Sequence, residues 1–326
     1  MKKTLYLLLV AALFVGCNRD KKKEEPTGPY IFFETRVGET GTLPQIEGEA
    51  FGVFGYYSVG ESLNNVFTGY DDRIAKVCWD AEDGTFAYDK LAKWAEGTYS
   101  FYAYYPYAYR NQERLAVIDD VRSKTLMFSQ PSELEDMVDF MTASAESVVR
   151  SPEPVRLQFE KKLFKVDVVI ANGEEGESSS KDFTILDAVI YFTGVPQSLE
   201  CDIDGTDAKN STETMDIESD LYPSSAEYLL ESGKKYNFTK EIGNSFRLIP
   251  DKNIKYSLSI EYMDEYGEPN IYTYPEDTEW ASFGSAVKAG GEYAIVVNRS
   301  KGTLFPFTAT LVKDWEDEVD IDNDFN

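Results

Sequence analysis

The chain has 326 residues, with 32 basic and 58 acidic side chains, a formal charge of −26 and no histidine. Without an imidazole there is no Ser-His-Asp triad, no Cys-His dyad and no histidine-ligated zinc or haem, and three cysteines do not furnish a thiolate cage once one is used elsewhere. So acidic a surface repels phosphates, which excludes nucleic acid as a partner and leaves a covalent lipid as the means of holding the chain to an anionic membrane.

Lys2 and Lys3 precede an apolar run from Leu5 to Val15 that is too short to span a bilayer, so residues 1–16 read as a secretory signal peptide. The run ends in Phe14-Val15-Gly16-Cys17, which resembles a bacterial lipobox with Phe14 in place of the usual leucine. Cys17 is then the lipidation site, an acyl (palmitate) anchor to the outer membrane. The alternative is ordinary cleavage nearby and a free thiol. Residues 17–29, charged and punctuated by Pro26 and Pro29, form a solvated tether. Cys78 and Cys201 are either one disulfide or two buried small apolar side chains.

From Tyr30 onward the pattern is of short aromatic and β-branched runs bounded by Gly, Pro, Asn and Asp. They are "YIFFET", "AFGVFGYYSV", "IAKVCW", "TFAYD", "TYSFYAYYPY", "TLMFS" and "DFMTAS". Two prolines in "VVRSPEPVRL" interrupt the series near Ser151 to Pro154, giving an N-terminal β-domain over 30–152 and a C-terminal one over 153–326. The second series includes "VRLQFEKKLFKVDVVIA", "FTILDAVIYFT", "IKYSLSIEYMD" and "EYAIVVN". Helix signals are sparse: an acidic turn in "SELEDMVDF" and a short helix from Ser224 to Gly233. The fold class is mainly β, antiparallel sandwiches with few short helices.

"GTYSFYAYYPYAYR", residues 97–110, concentrates aromatic rings. On a strand, Tyr99, Phe101, Ala103 and Tyr105 share one face and Ser100, Tyr102 and Tyr104 the other, so the strand is buried on both faces or lies under a loop. The competing reading is a glycan-stacking platform of Tyr102, Tyr104, Tyr107 and Tyr109. "DAEDG" at 80–84 and "CDIDGTD" at 201–207 look metal-like but place glycine wrongly for a calcium loop and read as turns. No phosphate-cradling loop is present, and the expectation is a protein without cofactor, metal or catalytic site. Chance carboxylate pairs keep a hydrolase as a distant rival.

Several of these segments together carry a resemblance. The lipobox cysteine, a first strand ending in Thr35-Arg36, "FGVFGYY" at 51–57, "WAEGTYSFYAYYPY" at 94–107, "VRLQFEKKLFKVDVVI" and the final "GGEYAIVVN" and "FTATLVKDW" resemble the fimbrillin (major fimbrial subunit-like) lipoproteins of Bacteroidetes. One departure is Lys161, where that family commonly has histidine. The resemblance implies two tandem transthyretin-like β-sandwich domains and a structural, adhesive subunit of a cell-surface fimbria. Its partners would be other fimbrial subunits, together with host or bacterial surface ligands. It further implies arginine-directed cleavage, here between Arg36 and Val37, and insertion of a neighbour's strand into the vacated groove. Arg36 is otherwise an ordinary solvated residue. The donor strand falls on the tail "WEDEVDIDNDFN", where Val319, Ile321 and Phe325 share one face. A frayed acidic terminus is the equal alternative, and a calcium loop fails because Phe325 stands where glycine is needed.

Overall fold

The computed structural model describes residues 30–313, except 39–40, 42, 71–72, 109–115, 119–123, 174–181, 222–227, 242–243, 264–265, 276–279, 285–286 and 300–306. Its strands are β1 (Phe33–Val37), β2 (Ala50–Val59), β3 (Ser62–Asn65), β4 (Ile74–Asp80), β5 (Thr85–Ala87), β6 (Thr98–Tyr105), β7 (Ala116–Ile118), β8 (Lys124–Ser129), β9 (Met141–Val148), β10 (Val155–Lys161), β11 (Phe164–Ala171) and β12 (Phe183–Pro196). They continue with β13 (Ser198–Asp202), β14 (Lys209–Asn210), β15 (Thr214–Asp220), β16 (Tyr228–Leu230), β17 (Lys235–Asn237), β18 (Phe246–Leu248), β19 (Lys255–Met263), β20 (Pro269–Tyr274), β21 (Ala281–Ser282), β22 (Glu292–Arg299) and β23 (Phe307–Lys313). Among the described residues the one α-helix is α1 (Phe238–Glu241), so the protein is mainly β, as its residue pattern predicts.

Compactness divides the chain into two units, Met1–Phe101 with Ser144–Gln158, and Tyr102–Ala143 with Phe159–Asn326. Where the two prolines suggest a single boundary near Ser151 to Pro154, this division crosses the chain within β6, β9 and β10.

The first unit holds most of an eight-stranded sheet of order β1-β10-β9-β6-β2-β4-β5, with β3 paired to β2. Its core is aromatic: Phe33, Phe67, Tyr88 and Phe101 meet with centroids 5.4 to 6.5 Å apart, and Trp94 packs edge-on to Tyr99 at 4.7 Å. Offset and edge-on contacts of this kind add to the area that the rings bury. Gly97 lies in the short connection between Trp94 and Tyr99. Its φ of +134° lies where L residues rarely go, and a Cβ would sit 2.4 Å from the Ser58 carbonyl oxygen. Since that neighbour is backbone, Gly97→Ala is expected to cost about 2–3 kcal/mol of unfolding free energy, measured by denaturant titration.

The second unit holds a five-stranded sheet, β17-β11-β22-β23 with β18 on β11, and a six-stranded sheet, β15-β12-β19-β20 with β16 on β12 and β21 on β19. Alternation explains their packing. Phe164, Val166, Val168 and Ile170 of β11, and Tyr293, Ile295 and Val297 of β22, form one cluster with Ile190 and Phe192 of β12 and Leu258 and Ile260 of β19. β11 and β22 pair in parallel, and the other registers in these two sheets are antiparallel. A four-stranded sheet, β14-β13-β8-β7, completes the unit.

Several sequence readings change at this point. "VRLQFEKKLFKVDVVIA" is two strands, broken where the Lys162 N–H donates to the Phe140 carbonyl at 2.8 Å. Lys161, at the position where histidine is common, pairs with Glu292 at 3.0 Å. The helix predicted from Ser224 to Gly233 is not formed over Tyr228–Leu230, which instead pairs with Phe183–Ile185 and buries Leu230. Alternation won over helix propensity there, because Leu230 fills the core while Leu229 faces solvent. Cys201 is a free buried thiol, so it makes no bridge to Cys78; burial pushes its pKa up to about 11 against the opposing charge of Lys162.

Candidate assembly interface

β1 sits at the edge of its sheet beside β10. The Val155 N–H donates to the Phe32 carbonyl at 2.7 Å, and Gln158 Nε2 donates to the Gly38 carbonyl at 2.8 Å. The contacts advance together along both chains, so the strands run in the same direction; Arg156 also pairs with Glu34. Ile31, Phe33 and Thr35 are buried, whereas Arg36 is exposed. This inward alternation seats Phe33 against Phe67, Tyr88 and Phe101. The Tyr88 hydroxyl donates to the Ile31 carbonyl at 2.7 Å, and burial raises its pKa. Neighbouring Tyr70 is pushed up to about 12, also chiefly by burial.

Directly after Arg36 the chain turns back. Val37 and Gly41 exchange backbone hydrogen bonds of 2.9 and 3.0 Å, and Gly38 adopts a φ of +59°. Thus the bond between Arg36 and Val37 lies where an edge strand enters a tight glycine turn.

One position on this strand fits poorly. Thr35 is 5% exposed and its hydroxyl has no hydrogen-bond partner among the described residues. A buried hydroxyl without a partner costs about 1–3 kcal/mol. Thr35→Val, nearly isosteric, is expected to raise stability by about 1 kcal/mol, read as an upward shift of the denaturation midpoint.

The tyrosine stretch is core. Tyr99, Tyr102, Tyr104 and Tyr105 are all buried, so β6 is covered on both faces over this length. A glycan platform needs exposed rings, and Tyr102 and Tyr104 do not supply them: they are 7% and 0% exposed. Tyr107 is half-buried and stacks on Tyr104 at 6.3 Å, and Tyr109 lies outside the described residues. Both metal-like stretches are turns. Asp80 Oδ1 accepts from the Glu82 and Asp83 N–H groups, and Asp204 Oδ1 accepts from the Thr206 N–H and hydroxyl. Among the described residues no group of three Cys, Asp or Glu side chains is placed to hold a metal. Cys17 and the tail residues Val319, Ile321 and Phe325 lie outside the described residues.

Residues that sequence reading passed over are Tyr191 and Trp280, whose rings meet on the outward face of the six-stranded sheet. The period-two pattern of "AVIYF" was the available signal, since buried Ile190 and Phe192 oblige Tyr191 to point outward.

The fold is shared with solved structures. A fimbrial protein from Bacteroides vulgatus superposes with a TM-score of 0.55 at 13% identity, covering 87% of this chain and 99% of its own. A proposed cell adhesion protein from Bacteroides uniformis gives 0.51 at 16% identity, covering 88% of this chain and 98% of its own. No curated protein matches the sequence. The fimbrillin-like family pattern matches residues 35–315, from the end of β1 to beyond β23. With the family pattern extending over most of its length, the chain belongs to the fimbrillin-like family.

Proposed function

We propose that this protein is a structural, adhesive subunit of a cell-surface fimbria, without enzymatic activity, exported as a lipoprotein through Cys17 and assembled by strand exchange. The observation that carries this reading is β1: an edge strand with buried inward side chains, ending in exposed Arg36 at a glycine turn. An edge strand is the element whose release leaves a row of backbone donors and acceptors, and a groove that alternate side chains of an incoming strand refill. Cleavage after Arg36 removes Ile31, Phe33 and Thr35 together. The tail has the polarity to replace them: Val319, Ile321 and Asn323 repeat the order apolar, apolar, polar of Ile31, Phe33 and Thr35, and Phe325 continues the same face.

Family membership and the fimbrial and adhesion names of the structural neighbours support the surface role and the partnership with other fimbrial subunits. The lipid on Cys17 places the precursor at the outer membrane. The test is intact mass and N-terminal sequencing of native protein, comparing the membrane fraction with material sheared from cells. Chains beginning at Val37 in sheared polymers are the expected result, and polymers whose chains all begin at Cys17 would overturn processing.

A further inference from the structure

Independently of strand exchange, the outward face of the six-stranded sheet holds an aromatic corner in an acidic surround. Between the register shifts at Ile185/Asp187 and Phe192/Val195, Ala188, Ile190 and Phe192 of β12 are buried, so Asp187 and Tyr191 share the opposite face. Tyr191 lies opposite Glu218 of β15 on one side and Ser257 of β19 on the other. Tyr256 is paired with Ala281, which sets Trp280 beside Ser257. Serine is small enough for the indole to reach across it. The Tyr191 and Trp280 centroids are 6.5 Å apart with their planes at 80°, and Trp280 is 39% exposed. Rings meeting near a right angle form an open corner.

Glu218, Asp220 and Asp187 are exposed around this corner. The Tyr191 phenol registers them: its pKa is raised by burial first, then by the charge of Glu218 and the hydrogen bond to it, and by Asp187 and Asp220. The nearby base on the face, Lys255, lies in the next row opposite Thr193.

We propose that this corner receives the cationic side chain of a lysine or arginine presented by a basic segment of a partner protein. A cation over an indole or phenol face is attracted by the negative ring face, and adjacent carboxylates complete its charge complement. Charge complementarity selects this occupant. A neutral sugar would use the rings but gain little from the three carboxylates.

The test is fluorescence anisotropy of a fluorescein-labelled GRKRG peptide titrated with the full chain at low and physiological salt. Saturable binding that weakens with salt is expected. Trp280→Ala should weaken it by about five- to tenfold, and Glu218→Gln with Asp220→Asn by about tenfold. Asp202→Asn, which removes a charge from the four-stranded sheet, should leave it unchanged. These side chains are exposed, and circular dichroism checks that each variant is folded. Absence of peptide binding overturns the proposal, as does binding indifferent to Trp280→Ala, which would reflect net charge alone. Binding of a neutral glucan oligosaccharide through Trp280 without competition from the peptide overturns it in favour of a carbohydrate face.

Discussion

Phe33→Ala is expected to lower the unfolding free energy of the full chain by about 3–5 kcal/mol, the range for deleting a well-packed aromatic ring. Phe33 is 4% exposed and touches three other rings, Phe67, Tyr88 and Phe101, at 5.4 to 6.3 Å. Its loss leaves a cavity that the three close-packed, buried rings around it cannot collapse to fill. Urea denaturation followed by tyrosine and tryptophan fluorescence measures the change. The position of Phe33 on an edge strand adds a second readout. If β1 is the segment released during assembly, Phe33→Ala loosens its hold and speeds cleavage after Arg36 by an arginine-specific protease, whereas Thr35→Val slows it. A destabilised variant whose cleavage rate is unchanged would show that β1 is core and nothing more.

Replacing Val319, Ile321 and Phe325 together by aspartate is expected to abolish polymer. Each apolar side chain contributes roughly 1.5–3 kcal/mol when buried in a partner's groove, so losing three reduces association by more than about a thousandfold. The monomer should keep its unfolding midpoint, because these residues are expected to serve a neighbour rather than their own chain. Detergent-resistant, high-molecular-weight material from cells, separated by gel electrophoresis, is the measurement. Polymer that persists at its normal level would remove the tail as donor strand. A lowered midpoint in the monomer would place the tail within its own fold instead.

Much of the fold was legible because strands stand out as short aromatic and β-branched runs bounded by turn residues. "AFGVFGYYSV" coincides with β2, and of the two readings that the parity of "TYSFYAYY" left open, burial on both faces or a place under a loop, the buried side chains of β6 fit the first. The glycine turns at Asp80–Gly84 and Asp202–Thr206 were legible for a similarly local reason: an aspartate accepting from backbone N–H groups two or three residues on needs nothing from the rest of the chain. The failures are non-local. Tyr228–Leu230 has acceptable helix formers, and only its partner Phe183–Ile185 makes it a strand. Likewise the competing glycan-platform reading counted Tyr102 and Tyr104, which tertiary packing took into the interior.

By itself the amino-acid sequence determined that histidine-based chemistry is absent, the strand-rich class, the net acidity of the chain and the family-like order of its motifs, because composition and short-range pattern are properties of neighbouring residues. Tertiary structure alone decided which strand stands at an edge, which rings are covered, and that Tyr191 and Trp280, far apart in the chain, meet over Ser257 among carboxylates. Those outcomes depend on register and on which strands become neighbours, and pairing between distant segments is set by the whole packed core rather than by any local pattern.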